Sequence, residues 1–181
     1  MTRCGAMWSG ASEVPETVSD TGPILHLHEI GRLSLLTALS PLKIPNLVQA
    51  ELSLYKIHAA ELMKAGIEIT VIPVAEPIWK EILLTPGFSR IQPADAQVFA
   101  VARTSAFHVL VLTDDLALRN LLERDGATVA GSFGLLIRAY RDGRLNRETL
   151  ERSVDDLLEK STLHLSQAFR SYVRQLLEEL P

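Results

Sequence analysis

Two adjacent carboxylates, Asp114 and Asp115, lie at a position where α/β proteins commonly have their active or binding sites. They directly follow Phe107–Thr113, an apolar run that is rich in β-branched residues and too short for a helix. Such a run is typical of a strand buried on both faces of a parallel sheet. Because ligands bind outside the carboxyl ends of the strands in open α/β sheets, we expect both carboxylates to lie at that edge.

Three more acidic residues occupy comparable positions along the chain. Asp20 follows a short strand-like segment and precedes a helix. Glu51 lies beside the apolar stripe of a helix predicted over residues 46–65, and Asp95 lies in the first turn of a helix predicted over residues 93–105. Taken singly, each acid is well explained as a helix cap, a first-turn charge or a solvated neighbour of the core.

The five acids become informative as a set. Four or five carboxylates that converge on one place repel one another strongly unless cations lie between them. Magnesium and manganese prefer such hard oxygen ligands, keep several waters and are used with phosphate substrates. We therefore predict a site for Mg²⁺ or Mn²⁺, and its candidate ligands are Asp20, Glu51, Asp95, Asp114 and Asp115. The sequence does not decide which member of the Asp114–Asp115 pair points into the site.

The elements that must position these acids alternate between strand and helix. Strands are predicted at residues 17–19, 42–45, 67–72, 107–113 and 127–130, and helices at 23–36, 46–65, 76–84, 93–105, 115–124 and 132–141. This alternation predicts a three-layer α/β/α fold with a mostly parallel central sheet, in which the alternating pattern of residues 67–72 favours an edge strand. Two amphipathic helices, 147–160 and 167–180, follow without any further strand.

Composition bounds the organisation of the chain. The 181 residues, 47% of them hydrophobic, fit one globular domain with a substantial core. We expect a flexible leader at residues 1–16, a main domain at 17–145 and a helical extension at 146–181 that packs on it. The single cysteine, the absence of a long apolar run and the lack of a signal peptide favour a cytoplasmic protein that does not enter membranes. The net charge of −4 argues against a wholly basic nucleic-acid binder.

Four blocks of the sequence resemble the PIN-domain nucleases, and in particular the small prokaryotic PIN proteins related to the toxins of VapBC-type toxin–antitoxin pairs. The blocks are Val18–Leu25, Ile44–Leu52, Ala94–Ala102, and Val111–Arg119 with Gly131–Leu136 after it. The resemblance covers about residues 18–180. No single block is specific, but the order of the four acidic blocks and of the elements between them is.

The resemblance implies a role for each acid. Asp20 matches the first acidic position of the family, Glu51 the second, Asp95 the third, and the Asp114–Asp115 pair the fourth. Thr21 and Thr113 match hydroxyl positions that often assist. The sequence departs from the pattern in its third block, which commonly reads Gly-Glu-Ala-Glu-Ala and here reads Ala-Asp-Ala-Gln-Val, so that one acid is lost. The segment before Asp20 is also unusually long.

The function that we expect from the acids and the resemblance together is a metal-dependent endoribonuclease, and the resemblance extends to the toxins of toxin–antitoxin pairs. The resemblance further implies a homodimer and a possible antitoxin partner. The basic residues near the acidic segments are candidates for phosphate contacts, namely Arg32, Lys43, Arg90, Arg103 and Arg119. A catalytically weak or inactive PIN-like RNA-binding or scaffold protein and a small-molecule phosphatase remain as alternatives.

Two other phosphate-handling folds fit less well. A receiver domain needs a lysine after a late strand, where this chain has Gly131-Ser132. A haloacid-dehalogenase-type phosphatase needs Asp-x-Asp at its first strand, and Asp20-Thr21-Gly22 lacks the second acid. The five histidines lack zinc-ligand spacing, and His26 and His28 are expected on different faces of one helix.

Overall fold

One five-stranded sheet forms the centre of the molecule. The structure is a computed structural model and describes residues 16–180. The strands are β1 (Thr17–Ser19), β2 (Leu42–Pro45), β3 (Ile69–Ile72), β4 (Leu110–Leu112) and β5 (Thr128–Ala130). They lie in the order β3-β2-β1-β4-β5, and every neighbouring pair is parallel. The carboxyl ends of all five strands therefore lie along one edge of the sheet.

Helices connect the strands, because parallel neighbours can be joined only by crossover connections. They are α1 (Thr21–Glu29), α2 (Asn46–Leu54), α3 (Ala59–Lys64), α4 (Glu76–Leu84), α5 (Pro93–Thr104), α6 (Leu116–Arg124), α7 (Ser132–Arg141), α8 (Arg147–Glu159) and α9 (Gln167–Glu179), with a 3-10 helix at Leu33–Leu39. The predicted three-layer α/β/α fold is confirmed, and the sheet is wholly rather than mostly parallel.

The sheet is most deeply buried at its middle. All residues of β1 and β4 are buried, including Val18, Val111 and Leu112, which have no exposed surface. In contrast, β3 forms one edge of the sheet and is only partly covered, as its alternating sequence predicts. The strands that carry the predicted acids at their ends are thus the most rigidly packed ones.

The strand predicted over residues 107–113 is shorter than expected. Only Leu110–Leu112 pair as β4. Ala106 and Phe107 have φ angles of 48° and 60°, so the chain there makes a left-handed turn after α5. An apolar residue at position 107 is explained by packing and not by a strand, since the Phe107 ring lies 5.4 Å from that of Phe99 in α5.

Two predicted helices are also interrupted. The helix predicted over residues 46–65 divides into α2 and α3, because Lys56 adopts a φ of 62° and the chain turns there to bury Ile57. The helix predicted over residues 23–36 stops at Glu29, where Gly31 adopts a φ of 66° and ends it before the 3-10 helix. Periodicity alone does not show such breaks, since the apolar spacing continues across them.

The two C-terminal helices are present and pack on the rest of the molecule. Leu150 and Val154 of α8 and Val173 of α9 are fully or almost fully buried. The predicted leader, apart from Glu16, lies outside the described residues, and the division at residue 145 stays a prediction. Within residues 16–180 no helix is long and apolar enough to cross a membrane.

Candidate functional site

The pairing of β1 with β4 brings Asp20 and Thr113 together at the carboxyl edge of the sheet. Ser19 pairs with Leu112, and the backbone amide of Asp20 donates to the carbonyl of Leu112 at 2.8 Å. The hydroxyl of Thr113 then donates to Asp20 Oδ2 at 3.0 Å. Asp20 is only 7% exposed, so its carboxylate is held in place with little access to bulk water.

Glu51 and Asp95 approach the same edge from helices α2 and α5. The hydroxyl of Thr21 donates to Glu51 Oε2 at 2.5 Å, and the backbone amide of Gln92 donates to Asp95 Oδ2 at 2.7 Å. Asp95 is 7% exposed. Within the described part of the chain, every hydrogen-bond donor to these two carboxylates and to Asp20 is neutral, and none of the three forms an ion pair.

The electrostatics show that these acids form one cluster. Burial, followed by the charge of Asp95 and with a smaller contribution from Glu51, raises the pKa of Asp20 to about 7. Burial also raises the pKa of Asp95 to about 6, and the charges of Asp115 and Glu51 add to the effect against the hydrogen bond from Gln92. Aspartate ordinarily titrates near 4. Burial and mutual repulsion therefore disfavour the ionised forms of Asp20 and Asp95 when no cation is bound.

The structure separates the roles of the two adjacent aspartates. Asp114 points toward α1 and α7, where its carboxylate accepts hydrogen bonds from the amide and hydroxyl of Ser132 at 2.8 and 2.5 Å and from His26 Nδ1 at 2.8 Å. Asp115 is exposed, caps α6 through the amide of Leu118 at 2.7 Å, and is the residue whose charge acts on Asp95. Charge interactions thus link Asp20, Glu51, Asp95 and Asp115, whereas Asp114 is hydrogen-bonded to His26 and Ser132.

Three residues around Asp114 were not identified from the sequence as part of the site. They are His26, Gly131 and Ser132. A β-carbon at position 131 would lie 2.5 Å from Asp114 Oδ1, so only glycine allows this carboxylate to reach the amide of Ser132. The available signal was the Gly131-Ser132 pair itself, which follows β5, the neighbour of β4, and opens a helix whose N-terminal amides attract anions.

The donor set suits a divalent cation that keeps much of its hydration. Within residues 16–180, no three His, Cys, Asp or Glu side chains lie close enough to hold one ion as they stand. Magnesium, however, is usually bound through one or two carboxylates together with waters and substrate phosphates. Asp20, Asp95 and Asp115 supply hard oxygens and uncompensated charge, and Glu51 lies beside them, so the residues present fit such an ion.

Gln97 stands where the third block of the family commonly has its second glutamate, and its hydrogen bonds explain why an amide is present there. Gln97 is 1% exposed. Its Oε1 accepts from the amide of Leu47 at 2.9 Å, and its Nε2 donates to the carbonyl of Val74 at 3.2 Å. A glutamine satisfies both partners, whereas an ionised glutamate can only accept. Gln97 therefore joins α5 to the start of α2 and to the segment after β3.

Three of the five basic residues predicted to contact phosphate are bound within the protein. Arg32 donates to the hydroxyl of Ser153, Lys43 pairs with Glu16, and Arg119 donates to the carbonyl of Thr113 at 3.1 Å. Arg90 and Arg103 are exposed. Arg90 shortly precedes the helix that carries Asp95, which keeps it the better positioned candidate of the two.

A parallel sheet with an acidic cluster at its carboxyl edge has the arrangement in which open α/β proteins bind ligands. The chain belongs to a PIN-domain family, whose model matches residues 16–179. The resemblance predicted from the sequence is confirmed at this level. PIN domains are generally nucleases, and therefore hydrolases, that use divalent metal ions. No curated protein and no solved structure matches the chain.

The raised pKa of Asp20 gives a testable dependence of stability on pH. Because the folded state holds this proton more tightly than the unfolded state, the associated stability is present below pH 4 and is lost as pH rises through about 7. We expect metal-free Asp20→Asn to be more stable than the wild type by a few kcal/mol at pH 8, with the difference disappearing near pH 4. Urea denaturation at both pH values measures it.

The exposed Asp155 supplies the matched control, because Asp155→Asn makes the same chemical change on α8, a helix that carries none of the predicted acids. Equal effects of the two substitutions at pH 8, or a wild type that is the more stable protein at pH 8, would contradict the destabilisation of the Asp20 carboxylate by burial and by the charge of Asp95.

Gln97 gives a second prediction. Gln97→Glu should lower the free energy of unfolding by about 1–3 kcal/mol at pH 8, because the carboxylate loses its bond to the carbonyl of Val74 and faces it unsatisfied. Protonation should restore part of the loss near pH 4. Urea denaturation compares this variant with Gln49→Glu, an exposed position on α2. A Gln97→Glu protein as stable as the control would show that the amide bridge contributes nothing.

Proposed function

We propose that this protein is a metal-dependent endoribonuclease that hydrolyses phosphodiester bonds at the cluster of Asp20, Glu51, Asp95 and Asp115. The observation that carries the proposal is the pair of buried, unneutralised carboxylates, Asp20 and Asp95, in a member of a nuclease family. A fold would keep such repulsive groups together only with a compensating gain, and cation binding is the gain that suits them. RNA as substrate rests on the resemblance to VapC-type proteins.

The residues of the cluster have distinct tasks under this proposal. A bound Mg²⁺ or Mn²⁺ supplies charge neutralisation at the phosphate and activates a water for attack. Asp20, fixed by Thr113, and Asp95, fixed by the amide of Gln92, would hold the cation together with Asp115. Glu51, oriented by Thr21, lies where it can orient water or assist a second ion.

The reaction is an in-line hydrolysis. The water oxygen forms a bond to phosphorus, the bond from phosphorus to the 3′ oxygen breaks, and the proton lost by the water ends on that leaving oxygen. The products are then a 5′-phosphate and a 3′-hydroxyl. Arg90, which is exposed and shortly precedes the helix that carries Asp95, would contact the phosphate backbone.

A second candidate is a PIN-like RNA-binding or scaffold protein with little or no activity. The observation that favours it is the spacing of the acids, since no three donor side chains within residues 16–180 converge on one point as they stand. The two proposals differ in metal affinity, because a scaffold has no need for cation binding at the acidic cluster.

The test compares Asp20→Asn and Asp95→Asn with Asp155→Asn in Mn²⁺ titration and in cleavage of a single-stranded RNA. We expect the two cluster variants to lose at least about 100-fold in rate, as when a central electrostatic group is removed. They should also bind Mn²⁺ more weakly while remaining folded. Unchanged cleavage by both would refute the site, and a wild type without Mn²⁺ affinity would favour the scaffold. Faster turnover of a generic phosphomonoester than of RNA would indicate a phosphatase.

The toxin role, an antitoxin partner and a homodimer are extensions of the same proposal. Apolar side chains on the surface support an assembly, since Leu54 and Leu84 are 82% and 84% exposed. Symmetric pairing is the commonest form of assembly for soluble proteins. We expect a dimer by sedimentation at roughly 10–50 µM, where weak dimers are populated; a monomer throughout that range would count against it.

A further inference from the structure

Asp114 joins three elements that meet at the carboxyl edge of the sheet. The residue lies in the turn between β4 and α6. Its Oδ2 is bonded to His26 of α1 at 2.8 Å and to the hydroxyl of Ser132 in α7 at 2.5 Å, while Oδ1 accepts from the amide of Ser132 at 2.8 Å. We call His26, Asp114 and Ser132 the Asp114 clamp.

The clamp holds the turn that carries two parts of the acidic cluster. On one side of Asp114, the hydroxyl of Thr113 donates to Asp20 and accepts from the amide of Asp115 at 3.1 Å. On the other side, Asp115 caps α6 and acts on Asp95. Because Asp114 and Asp115 are neighbours along the backbone, the bonds that hold the Asp114 side chain also restrict the backbone that carries Asp115.

The geometry points to His26 as a positioning residue for the acidic cluster: through Asp114 it fixes residues 113–115, which carry the Thr113 hydroxyl bonded to Asp20 and the carboxylate of Asp115. The inference rests on the proposed function for the role of the cluster in binding a cation. Hydrogen bonds behind metal ligands typically change metal affinity by about 10- to 100-fold when removed.

The setting of His26 supports a dedicated role for this bond. The side chain is 7% exposed, and Ile24 and Leu27 beside it on α1 are fully buried. A polar ring in such surroundings is unfavourable without a partner, and Asp114 provides one. The pair packs close to Gly22, where a β-carbon would meet His26 Cε1 and Asp114 Cβ at ordinary contact distances of 3.5 Å.

The experiment measures the Mn²⁺ dissociation constant of variants at position 26. His26→Leu keeps apolar bulk but removes the donor, whereas His26→Asn places an amide nitrogen near the position of Nδ1. We expect about tenfold weaker Mn²⁺ binding for His26→Leu, and affinity within about threefold of the wild type for His26→Asn, which retains a donor. His28→Leu, on the exposed side of the same helix, is the matched control and should bind like the wild type.

Coupling to Asp115 separates positioning from a general loss of stability. If His26 acts through Asp115, then adding His26→Leu to Asp115→Asn should weaken Mn²⁺ binding little further, whereas independent effects would multiply. Multiplying effects, or a His26→Leu protein with wild-type affinity, would overturn the inference. Should His26→Leu fail to fold, Ser132→Ala removes one donor from the same Asp114 oxygen and should show the same coupling, with a smaller effect.

Amide hydrogen exchange in the metal-free protein tests the clamp independently of the proposed function. His26→Leu should speed exchange over residues 113–118, including the amides of Asp115 and Leu118, while His28→Leu should not. If the wild type bound no Mn²⁺, the proposed function would fail, and the exchange data would still decide whether His26 fixes the turn. Unchanged exchange in that segment would overturn the clamp even in an active nuclease.

Discussion

The parallel pairing of β1 with β4 is the constraint on which the site depends. It aligns Ser19 with Leu112, so that the first residues beyond each strand, Asp20 and Thr113, meet at one edge of the sheet. Both strands are short and completely buried. The helices then bring Glu51 and Asp95 to a position that the sheet has already defined.

Much of this architecture follows from the sequence because its signals are local. Alternation of apolar runs with amphipathic segments is enough to predict a parallel sheet between helices. The errors fall where a backbone conformation rather than a pattern decides the outcome, at Gly31, Lys56 and Ala106–Phe107, which all have positive φ angles. A lysine or an alanine in that conformation gives no sequence signal, since packing elsewhere imposes it.

The site could be predicted in its composition but not in its orientation. Strand ends locate Asp20 and the Asp114–Asp115 pair, yet which of two adjacent carboxylates points inward depends on donors far away in the chain. The Asp114 carboxylate is hydrogen-bonded to His26 and Ser132, and no sequence pattern connects either residue to β4. Gln97 illustrates the same limit. A glutamine in place of the family's usual acid is explained only by the two backbone groups that Gln97 bridges.

The central claim is that the carboxyl groups of the cluster lack a positively charged partner within the described protein and bind a cation instead. The most direct measurement is proton release on Mn²⁺ binding, obtained by calorimetry in buffers of different ionisation enthalpy. Since the pKa values of Asp20 and Asp95 are raised to about 7 and about 6, the ion should displace about one proton at pH 6.5 and almost none at pH 8.5. Mn²⁺ binding without proton release at pH 6.5, or no binding at either pH, would contradict the account.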